Sequence, residues 1–194
     1  ESGLAKPEDQ PRFIGHIRKE ASRLVTLIDD IIKLSRLDEG GRDIEKCEVD
    51  LLGIADSVAE RLEYSAEKSG VSIKVSGKRT VVNGAPAIIE EMLFNLADNA
   101  VKYNRENGSV TITVNENDSG KYFSVKDTGV GIPPEAQERV FERFYRVDKS
   151  HSRKIGGTGL GLSIVKHGAA FHNAEIHMSS TENAGTEITV TFKA

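Results

Sequence analysis

The spacing of the apolar residues changes once along this chain of 194 residues, and that change divides it into two regions. In the first region, apolar residues recur at alternating intervals of three and four, at Ile14, Ile17, Ala21, Leu24, Ile28 and Ile31. This heptad period is typical of a helix that packs lengthwise against other helices. It predicts one long coiled-coil-like helix from Glu8 to Leu37, paired within a dimer and stopped at Gly40 and Gly41.

In the second region, from Arg42 onward, segments with strand periodicity alternate with amphipathic helical segments. Helices are predicted at residues 50–69, 85–103 and 159–171, and the first of them is expected to start at an Asp50 cap and stop at Gly70. Strands are predicted at residues 71–75, 80–82, 109–115, 121–126, 175–179 and 186–192. This order predicts an α/β two-layer sandwich, with helices on one face of a mixed sheet.

The overall charge and the single cysteine argue against several classes of protein. A net charge of -4 disfavours a general nucleic-acid binder, which usually presents a basic face to phosphates. No apolar run approaches the roughly 20 residues that a membrane-spanning helix requires. Cys47 cannot form an internal disulfide, has no neighbouring metal-ligand residues, and is expected to be partly buried. A reducing, cytoplasmic setting fits this cysteine content.

The predicted helix at residues 85–103 carries a polar face. Its members recur at intervals of three or four residues, at Glu91, Asn95, Asn99 and Lys102 or Tyr103. Asparagine oxygens are neutral hard ligands, suited to Mg²⁺ that arrives with phosphate oxygens, and a lysine is a point charge for phosphate. The opposite face is predicted to be buried and contains Met92, Leu93, Leu96 and Ala100. Taken alone, this motif also fits a solvated amphipathic helix.

A second motif, at residues 125–133, combines a strand-end carboxylate with glycines. Asp127 follows an apolar strand, and Gly129 and Gly131 allow the backbone to approach a ligand closely. A buried carboxylate needs a hydrogen-bond donor, which the exocyclic amine of adenine supplies and the corresponding oxygen of guanine does not. The motif therefore favours adenine, although an Asp-Thr-Gly turn that closes a hairpin also explains it in isolation.

A third motif is a glycine-rich turn that leads into the last predicted helix, and it contains Gly157, Thr158, Gly159, Leu160 and Gly161. Such a turn exposes backbone N–H groups, and the helix N-terminus adds positive potential toward an anion. Because glycine-rich turns before helices are common, this motif alone is a weak indication of a phosphate site.

A fourth motif lies within the stretch 128–157, which is too polar to pack as a regular element. In its residues 139–146, Phe141 and Phe144 are expected to anchor a loop, while Arg143 and Arg146 reach phosphate. A short amphipathic surface helix is the alternative interpretation of the same residues.

In this order and with this spacing, the four motifs resemble those of one family, the sensor histidine kinases of two-component systems. They match the family's N box, first glycine box, F box and second glycine box, while Gly185 and Thr186 resemble a further glycine motif at the last hairpin. The resemblance covers residues 50–192. It implies a Bergerat-type ATP-binding fold of the GHKL superfamily, which binds ATP with Mg²⁺ under a flexible lid.

The resemblance also implies roles for the polar face of the third helix. Asn95 is the implied Mg²⁺ ligand, with Asn99 assisting at the metal or the phosphates. Glu91 occupies the position of the family's proposed base or activating carboxylate. Lys102 and Tyr103 are implied to contact phosphate and ribose.

For the base, the resemblance implies that Asp127 binds adenine, that Gly129 and Gly131 make room for it, and that Thr186 supports it through its hydroxyl or a water. Residues 128–156 are the implied lid. The other residues implied to bind the nucleotide are Arg143, Gly157, Thr158, Gly159, Leu160 and Gly161.

The first helix resembles the second helix of the family's dimerisation and phosphotransfer hairpin, notably at residues 28–37. The family's acceptor is a His followed by an acidic residue and then Pro, and none of the five His residues lies in that setting. His16 is expected on a helix surface, and structural or solvated positions are expected for His151, His167, His172 and His177. Residues 1–40 are therefore interpreted as a partial dimerisation and phosphotransfer helix, and residues 41–194 as the catalytic ATP-binding domain.

The resemblance implies transfer of the γ-phosphoryl of Mg-ATP to a histidine on a helix that this fragment lacks, with relay to a response regulator aspartate. The fragment is expected to bind ATP, to hydrolyse it slowly at most, and not to label itself. The expected parent is a homodimer through the N-terminal helix, anchored in the bacterial inner or plasma membrane with this domain in the cytoplasm. No contact of the fragment with nucleic acid or membrane is expected.

Two alternatives stay open. One keeps the fold and changes the chemistry, as in GHKL-type ATPases of mismatch repair, heat-shock chaperones or protein-serine kinases; the F box and the Ile-Ile-Lys-Leu-Ser segment weigh against it. The other is a non-catalytic module that dimerises or binds a response regulator. The presence of Asn95, Asn99, Asp127 and the glycines weighs against loss of nucleotide binding.

Overall fold

The computed structural model describes residues 9–38, 44–147 and 157–193. Within them lie, in chain order, α1 (Gln10–Asp38), β1 (Cys47–Asp50), α2 (Leu51–Lys68), β2 (Ser72–Gly77), β3 (Val81–Gly84), α3 (Pro86–Lys102), β4 (Ser109–Asn117), β5 (Gly120–Asp127), α4 (Pro134–Gln137), α5 (Gly161–Phe171), β6 (Ala174–Thr181) and β7 (Gly185–Phe192). Every predicted helix and strand is present. The four-residue elements β1 and α4 were missed. The predicted stop at Gly40 and Gly41 lies outside the described residues.

Five strands form one sheet in the order β2-β4-β5-β7-β6. Strand β2 pairs with β4 in parallel, and the other neighbours pair antiparallel, so the sheet is mixed as predicted. Strands β1 and β3 form a separate antiparallel pair. Cys47, at the start of β1, is exposed, so the expectation that it is partly buried was wrong.

The core lies between the five-stranded sheet and the helices α2, α3 and α5, which cover one of its faces. Burial alternates along β4, where Val110, Ile112 and Val114 are fully buried. On α3, the buried residues include Met92 and Leu93. The apolar faces of sheet and helices therefore meet in a single layer, which confirms the predicted two-layer sandwich.

Helix α2 begins and ends where its local sequence predicts. The Asp50 side chain accepts hydrogen bonds from the backbone N–H groups of Leu52 (3.1 Å) and Gly53 (3.5 Å), which otherwise lack partners in the first turn. After Lys68 the chain turns through Gly70, whose φ of 65° lies in the left-handed region that favours glycine. Both signals act within one turn of the helix and are therefore readable from the sequence.

Helix α1 packs on α5 through a narrow apolar contact. Leu34 is buried with Leu160 and Ile164, and Leu27 packs against them. Eight other large apolar side chains of α1 are exposed, and they are Phe13, Ile14, Ile17, Leu24, Val25, Ile28, Ile31 and Ile32. No helix in the described parts of the chain is long and apolar enough to cross a membrane. Most of the apolar face of α1 is therefore uncovered in the single chain.

Candidate functional site

A cavity of about 920 Å³ lies between α3, the end of β5, the turn before α5 and one face of α1. Most of the residues predicted from the four motifs line it, namely Glu91, Asn95, Asn99, Lys102, Tyr103, Asp127, Gly131, Gly157, Thr158, Gly159, Gly161 and Thr186. They come from segments that are up to about half the chain apart in sequence. The fold therefore brings the N box and both glycine boxes to one place.

The two faces of α3 divide as the sequence predicts. Met92, Leu93, Leu96 and Ala100 are buried in the core. Between them, at intervals of three and four residues, Glu91, Asn95, Asn99 and Lys102 face the cavity. A packed apolar face fixes the rotation of the helix, so the polar face is held toward the cavity rather than toward bulk solvent.

Asp127 lies at the end of β5 and is half-buried. One of its oxygens, Oδ1, accepts hydrogen bonds from the backbone N–H groups of Gly129 (2.7 Å) and Thr186 (3.3 Å). Burial raises the pKa of the Asp127 carboxyl above its usual range, against the lowering effect of these two donors. Both protein donors use Oδ1, so Oδ2 is the oxygen left for a donor in the cavity.

Apolar side chains lie around Asp127. Val125 on β5 and Ile188 on β7 are paired on adjacent strands, and both line the cavity with Val130 and Ile132. A carboxylate among apolar walls suits a flat ring that offers a hydrogen-bond donor at its edge. This end of the cavity matches the predicted adenine site in its chemistry.

The glycines after Asp127 are required by the protein's own packing. A Cβ atom on Gly129 would lie 2.4 Å from the Tyr103 carbonyl oxygen, and one on Gly131 would lie 2.1 Å from the Thr181 carbonyl oxygen. Gly131 also has a φ of 68°, which side chains rarely adopt. The turn therefore sits directly against the end of α3 and the β6–β7 turn. Gly129 supports the cavity in this way, although it does not line it.

Asn95 links the N box to the second glycine box. Its Nδ2 donates to the Glu91 carbonyl oxygen (2.8 Å) and to Glu91 Oε1 (3.3 Å). The amide is thereby oriented with Oδ1 toward the turn before α5, where a Cβ atom on Gly161 would lie 2.7 Å from it. A neutral hard oxygen thus lies beside the glycine-rich turn, which is the type of donor that Mg²⁺ with phosphate oxygens accepts.

Lys102 does not stand alone at the cavity. Its Nζ lies 2.5 Å from Asp98 Oδ2, one helical turn earlier, and both residues line the cavity. Asp98 was missed in the sequence, although its spacing of four from Lys102 was the available signal. The lysine is therefore held in place by a carboxylate that also reduces its net positive charge.

The F-box residues divide between the cavity and the surface. Arg146 lines the cavity and donates to the Gly157 carbonyl oxygen at 3.0 Å. Arg143 instead pairs with Asp38 at the end of α1, at 2.6 Å, and lies beside His167, so the structure does not place it in the cavity. Phe141 packs on the core as expected, whereas Phe144 is 58% exposed. The ion pair with Asp38 holds Arg143 outside the cavity. The sequence did not predict this pair, because the two residues are 105 positions apart and meet only in the tertiary structure.

The glycine-rich turn also differs in one detail from the prediction. Leu160 was predicted as a nucleotide contact, but its side chain is fully buried against α1 and does not line the cavity. Its neighbours Thr158, Gly159 and Gly161 do line it. The turn therefore presents Leu160 to the apolar contact with α1 and the residues on either side of it to the cavity.

Helix α1 contributes residues that sequence reasoning missed. Lys19, Arg23, Thr26, Asp30 and Lys33 all line the cavity. Asp30 accepts a hydrogen bond from the Thr158 hydroxyl at 2.8 Å, and Lys33 Nζ lies 2.9 Å from Glu91 Oε2. Their spacing of four, three, four and three was a signal in the sequence, but the apolar stripe of α1 with the same period obscured it.

Asp30 is the buried member of this group, with 8% of its surface exposed. Burial is the main cause that raises the pKa of the Asp30 carboxyl, while the Thr158 hydroxyl and Lys33 lower it and Glu91 raises it. A carboxyl buried between two elements and satisfied by one hydroxyl indicates a specific contact between α1 and the glycine-rich turn.

The described histidines occupy structural or solvated positions, as expected. His16 is exposed on α1, and His177 is exposed on β6. The half-buried His172 accepts from the Ala85 N–H at 2.9 Å and bonds the Gly168 carbonyl at 2.8 Å. Burial lowers the pKa of the His172 imidazole. His167 contacts Asp38 at 2.9 Å, and His151 lies outside the described residues.

Comparison with known proteins agrees with this geometry. The family model described as "Histidine kinase-, DNA gyrase B-, and HSP90-like ATPase" matches residues 84–194, which is more than half of the chain. The chain is 38% identical over 185 residues to a protein named sensor histidine kinase WalK from Bacillus subtilis (strain 168). That alignment covers 94% of this chain and 30% of the relative, so the chain spans less than a third of the relative's length.

Two solved structures share the fold. The structure described as full-length ShkA in complex with AMPPNP gives a TM-score of 0.80 at 28% identity, over 100% of this chain and 41% of that one. A mycobacterial sensor histidine kinase, MprB, gives a TM-score of 0.66 at 27% identity, over 76% of this chain and 97% of that one. The family match, the relative and the cavity lead to one conclusion. The chain belongs to the histidine kinase-, DNA gyrase B- and HSP90-like ATPase family, and it carries the ATP-binding catalytic domain of a sensor histidine kinase.

Proposed function

We propose that the cavity binds Mg-ATP and that the domain transfers the γ-phosphoryl group to a histidine presented by another helix. The proposal rests on one observation. Asn95, Asp127 and the turn Gly157–Gly161, three unlike groups from distant segments, converge on a single cavity. A carboxylate for a base, amide oxygens for a metal and a glycine-rich turn at a helix start for phosphates together suit an adenine nucleotide.

The donor set fits a magnesium ion. Asn95 Oδ1 is turned toward the glycine-rich turn, and Asn99 lines the cavity one helical turn further along α3. Neutral amide oxygens leave the positive charge of a metal to be matched by phosphate oxygens, so they suit an ion that is carried by the nucleotide. When bound, Mg²⁺ would supply charge neutralisation on the phosphates.

The remaining groups have separate tasks in this proposal. Asp127 accepts a hydrogen bond from the adenine amine, with Thr186 in support. Lys102 and the backbone N–H groups of Gly159 and Gly161 meet the phosphates, and Tyr103 meets the ribose. The N-terminus of α5 is directed toward the phosphates and adds the positive potential of the helix dipole there.

In the transfer, an imidazole nitrogen attacks the γ-phosphorus in line with the leaving group. The new N–P bond forms, the bond from phosphorus to the β–γ bridging oxygen breaks, and ADP leaves with that electron pair. Glu91 accepts the proton that the imidazole loses. Positioning and preorganised charge supply most of the rate in such a step.

The two parts of the chain have distinct roles in this proposal. Residues 41–194 act as the catalytic domain, with residues 128–156 as its lid. Residues 1–40 act as a dimerisation and phosphotransfer helix, which pairs with a second copy through its exposed apolar face. We place the domain in the cytoplasm of a membrane-anchored parent, with a response regulator receiver domain as the acceptor of the relayed phosphoryl group.

A binding titration separates this proposal from a non-catalytic module. With a fluorescent ATP analogue and Mg²⁺, the chain should show saturable binding that Asn95→Ala weakens and that excess ATP competes away. Absence of saturable binding to the wild-type chain would favour the module that only dimerises or binds a regulator.

A phosphotransfer assay separates the kinase from the other ATPases and from serine kinases. The chain is incubated with radiolabelled ATP and either an acceptor-helix peptide that carries His or a protein rich in serine. Acid-labile label on the peptide is expected, without label on the chain itself. Acid-stable label, or release of phosphate alone, would contradict histidine transfer.

A further inference from the structure

The polar face of α1 forms one wall of the nucleotide cavity. Lys19, Arg23, Thr26, Asp30 and Lys33 line it, at intervals that place all five on one side of a helix. At 3.6 residues per turn this side is nearly opposite the exposed apolar face of the same helix. A helix that uses its apolar face elsewhere therefore still presents a continuous polar face to the nucleotide site.

The contacts of α1 locate this wall at the phosphate end of the cavity. Asp30 accepts from the Thr158 hydroxyl at 2.8 Å, and Lys33 lies 2.9 Å from Glu91. Thr158 belongs to the glycine-rich turn and Glu91 to the polar face of α3. Arg23 lies two turns before Asp30, about 10 Å along the helix axis. It also contributes with Thr158 to a smaller adjoining pocket.

The charges of the cavity wall show what α1 adds. Outside α1, the described charged residues of the lining are three cations and three anions, namely Arg61, Lys102, Arg146, Glu91, Asp98 and Asp127. Those parts of the lining are therefore balanced. Helix α1 contributes three cations and one anion, so the surplus of positive charge comes from α1.

Two of the α1 cations are not committed to strong contacts. Lys33 is held by Glu91 at 2.9 Å. Arg23 has only an exposed partner on its own helix, Glu20, at 3.6 Å. No ion pair of Lys19 occurs among the described residues. These two side chains are long enough to turn toward an anion in the cavity.

We propose that Lys19 and Arg23 form a subsite for the terminal phosphate of a nucleoside triphosphate, so that α1 makes the site selective for ATP over ADP. The inference rests on the proposed function, because it takes the base to lie at Asp127 and the phosphates at the turn before α5. A nucleotide in that orientation directs its last phosphate toward α1. The site then senses the γ-phosphate through α1.

Calorimetric titration of the whole chain with AMPPNP and with ADP, each with Mg²⁺, tests this subsite. In Lys19→Ala/Arg23→Ala, affinity for AMPPNP should fall roughly tenfold or more, since each bond from a charged donor contributes measurably, while ADP affinity stays within about twofold. The matched control is Arg18→Ala/Arg36→Ala, which removes the same charge from exposed positions of α1 outside the cavity. Both affinities should be unchanged in that control.

The outcomes separate the two proposals. Unchanged AMPPNP affinity in Lys19→Ala/Arg23→Ala, or an equal loss for AMPPNP and ADP, would overturn the phosphate subsite and leave nucleotide binding intact. An equal loss of AMPPNP affinity in Arg18→Ala/Arg36→Ala would show that the effect comes from the overall charge of α1, and it would also overturn the subsite. A wild-type chain that binds neither nucleotide would overturn the proposed function itself. Retained ADP binding by the variant demonstrates that it is folded.

Discussion

At the scale of single residues, the half-buried carboxylate of Asp127 lowers the stability of the fold and offers an oxygen to a ligand. Its carboxylate is half-buried between apolar walls, and the two protein donors, Gly129 N–H and Thr186 N–H, both bond Oδ1. Burial of an ionised group is unfavourable unless its hydrogen bonds are satisfied. The unfilled capacity at Oδ2 is the reason that we expect a ligand donor there.

Replacement of Asp127 should affect binding and stability in opposite directions. In Asp127→Asn, the side-chain oxygen can keep its two backbone donors, but an amide now faces the adenine amine. Affinity for an ATP analogue should fall by about 1–3 kcal/mol, because one polar group is left unpaired. At neutral pH the free energy of unfolding of the ligand-free chain should rise, because no charge remains buried.

The stability gain expected for Asp127→Asn should depend on pH. Burial raises the pKa of Asp127 in the folded state above the unfolded value, so its ionised form destabilises the fold. That cost is complete above the folded-state pKa and disappears as the pH falls toward the ordinary carboxyl range of about 4. Urea unfolding at neutral pH and near that range should show the stability gain of Asp127→Asn shrinking on acidification. The exposed Asp56→Asn serves as control, and an equal gain there would contradict the explanation.

At the scale of elements, the turn after β5 depends on the hairpin that it contacts. Gly131 has a φ of 68°, and a Cβ atom there would lie 2.1 Å from the Thr181 carbonyl oxygen at the end of β6. The turn, the strand end and the hairpin therefore form one unit around the base end of the cavity. The sequence suggested that Gly131 makes room for a ligand, and the structure shows that glycine is also required there by the packing of the turn against Thr181.

Gly131→Ala should destabilise the chain by about 1–3 kcal/mol, because it combines an unfavourable backbone conformation with a clash against backbone. Gly15→Ala is the matched control, since nothing lies within 4 Å of a Cβ atom there and the residue is inside α1. That control should be neutral or stabilise by up to about 1 kcal/mol. Thermal unfolding of both variants measures the difference, and equal melting temperatures would refute the packing reason.

At the scale of the whole molecule, the apolar face of α1 is uncovered, and it carries eight of the thirteen exposed large apolar side chains among the described residues. Ile17 is 68% exposed and Ile28 is 55% exposed, and six other large apolar residues of the helix are also exposed. Full burial of such a side chain contributes about 1.5–3 kcal/mol. A second copy with the same heptad spacing is the natural cover, because its stripe has the same length and period.

The chain should therefore self-associate reversibly at high concentration. Sedimentation velocity should give a mass above the 21.2 kDa of one chain. Ile17→Glu/Ile28→Glu should restore the single-chain mass, because two charges in the apolar stripe oppose its burial. Arg18→Glu/Arg36→Glu changes exposed polar positions and should leave the association in place. A wild-type chain of single mass at all concentrations would contradict the pairing.

The outline of the fold was predictable because its signals are local. The heptad spacing of α1, the cap at Asp50, the stop at Gly70 and the alternation along β4 each act within a few residues. The order of helices and strands then leaves few ways to cover a sheet. Strand β1 was missed, because its pairing with β3 joins segments that are far apart in the sequence and depends on tertiary contact.

The sequence by itself determined which chemistry the chain carries, since the polar face of α3, the strand-end Asp127 and the glycine-rich turn are each readable from composition and spacing. Only the tertiary structure decided which of these distant residues contact each other. It placed Lys33 against Glu91 and Asp30 against Thr158, and it drew Arg143 to Asp38 instead of the cavity. The physical reason is range: propensity and periodicity act over one or two turns, whereas ion pairs and buried hydrogen bonds join residues that the packing of whole elements brings together.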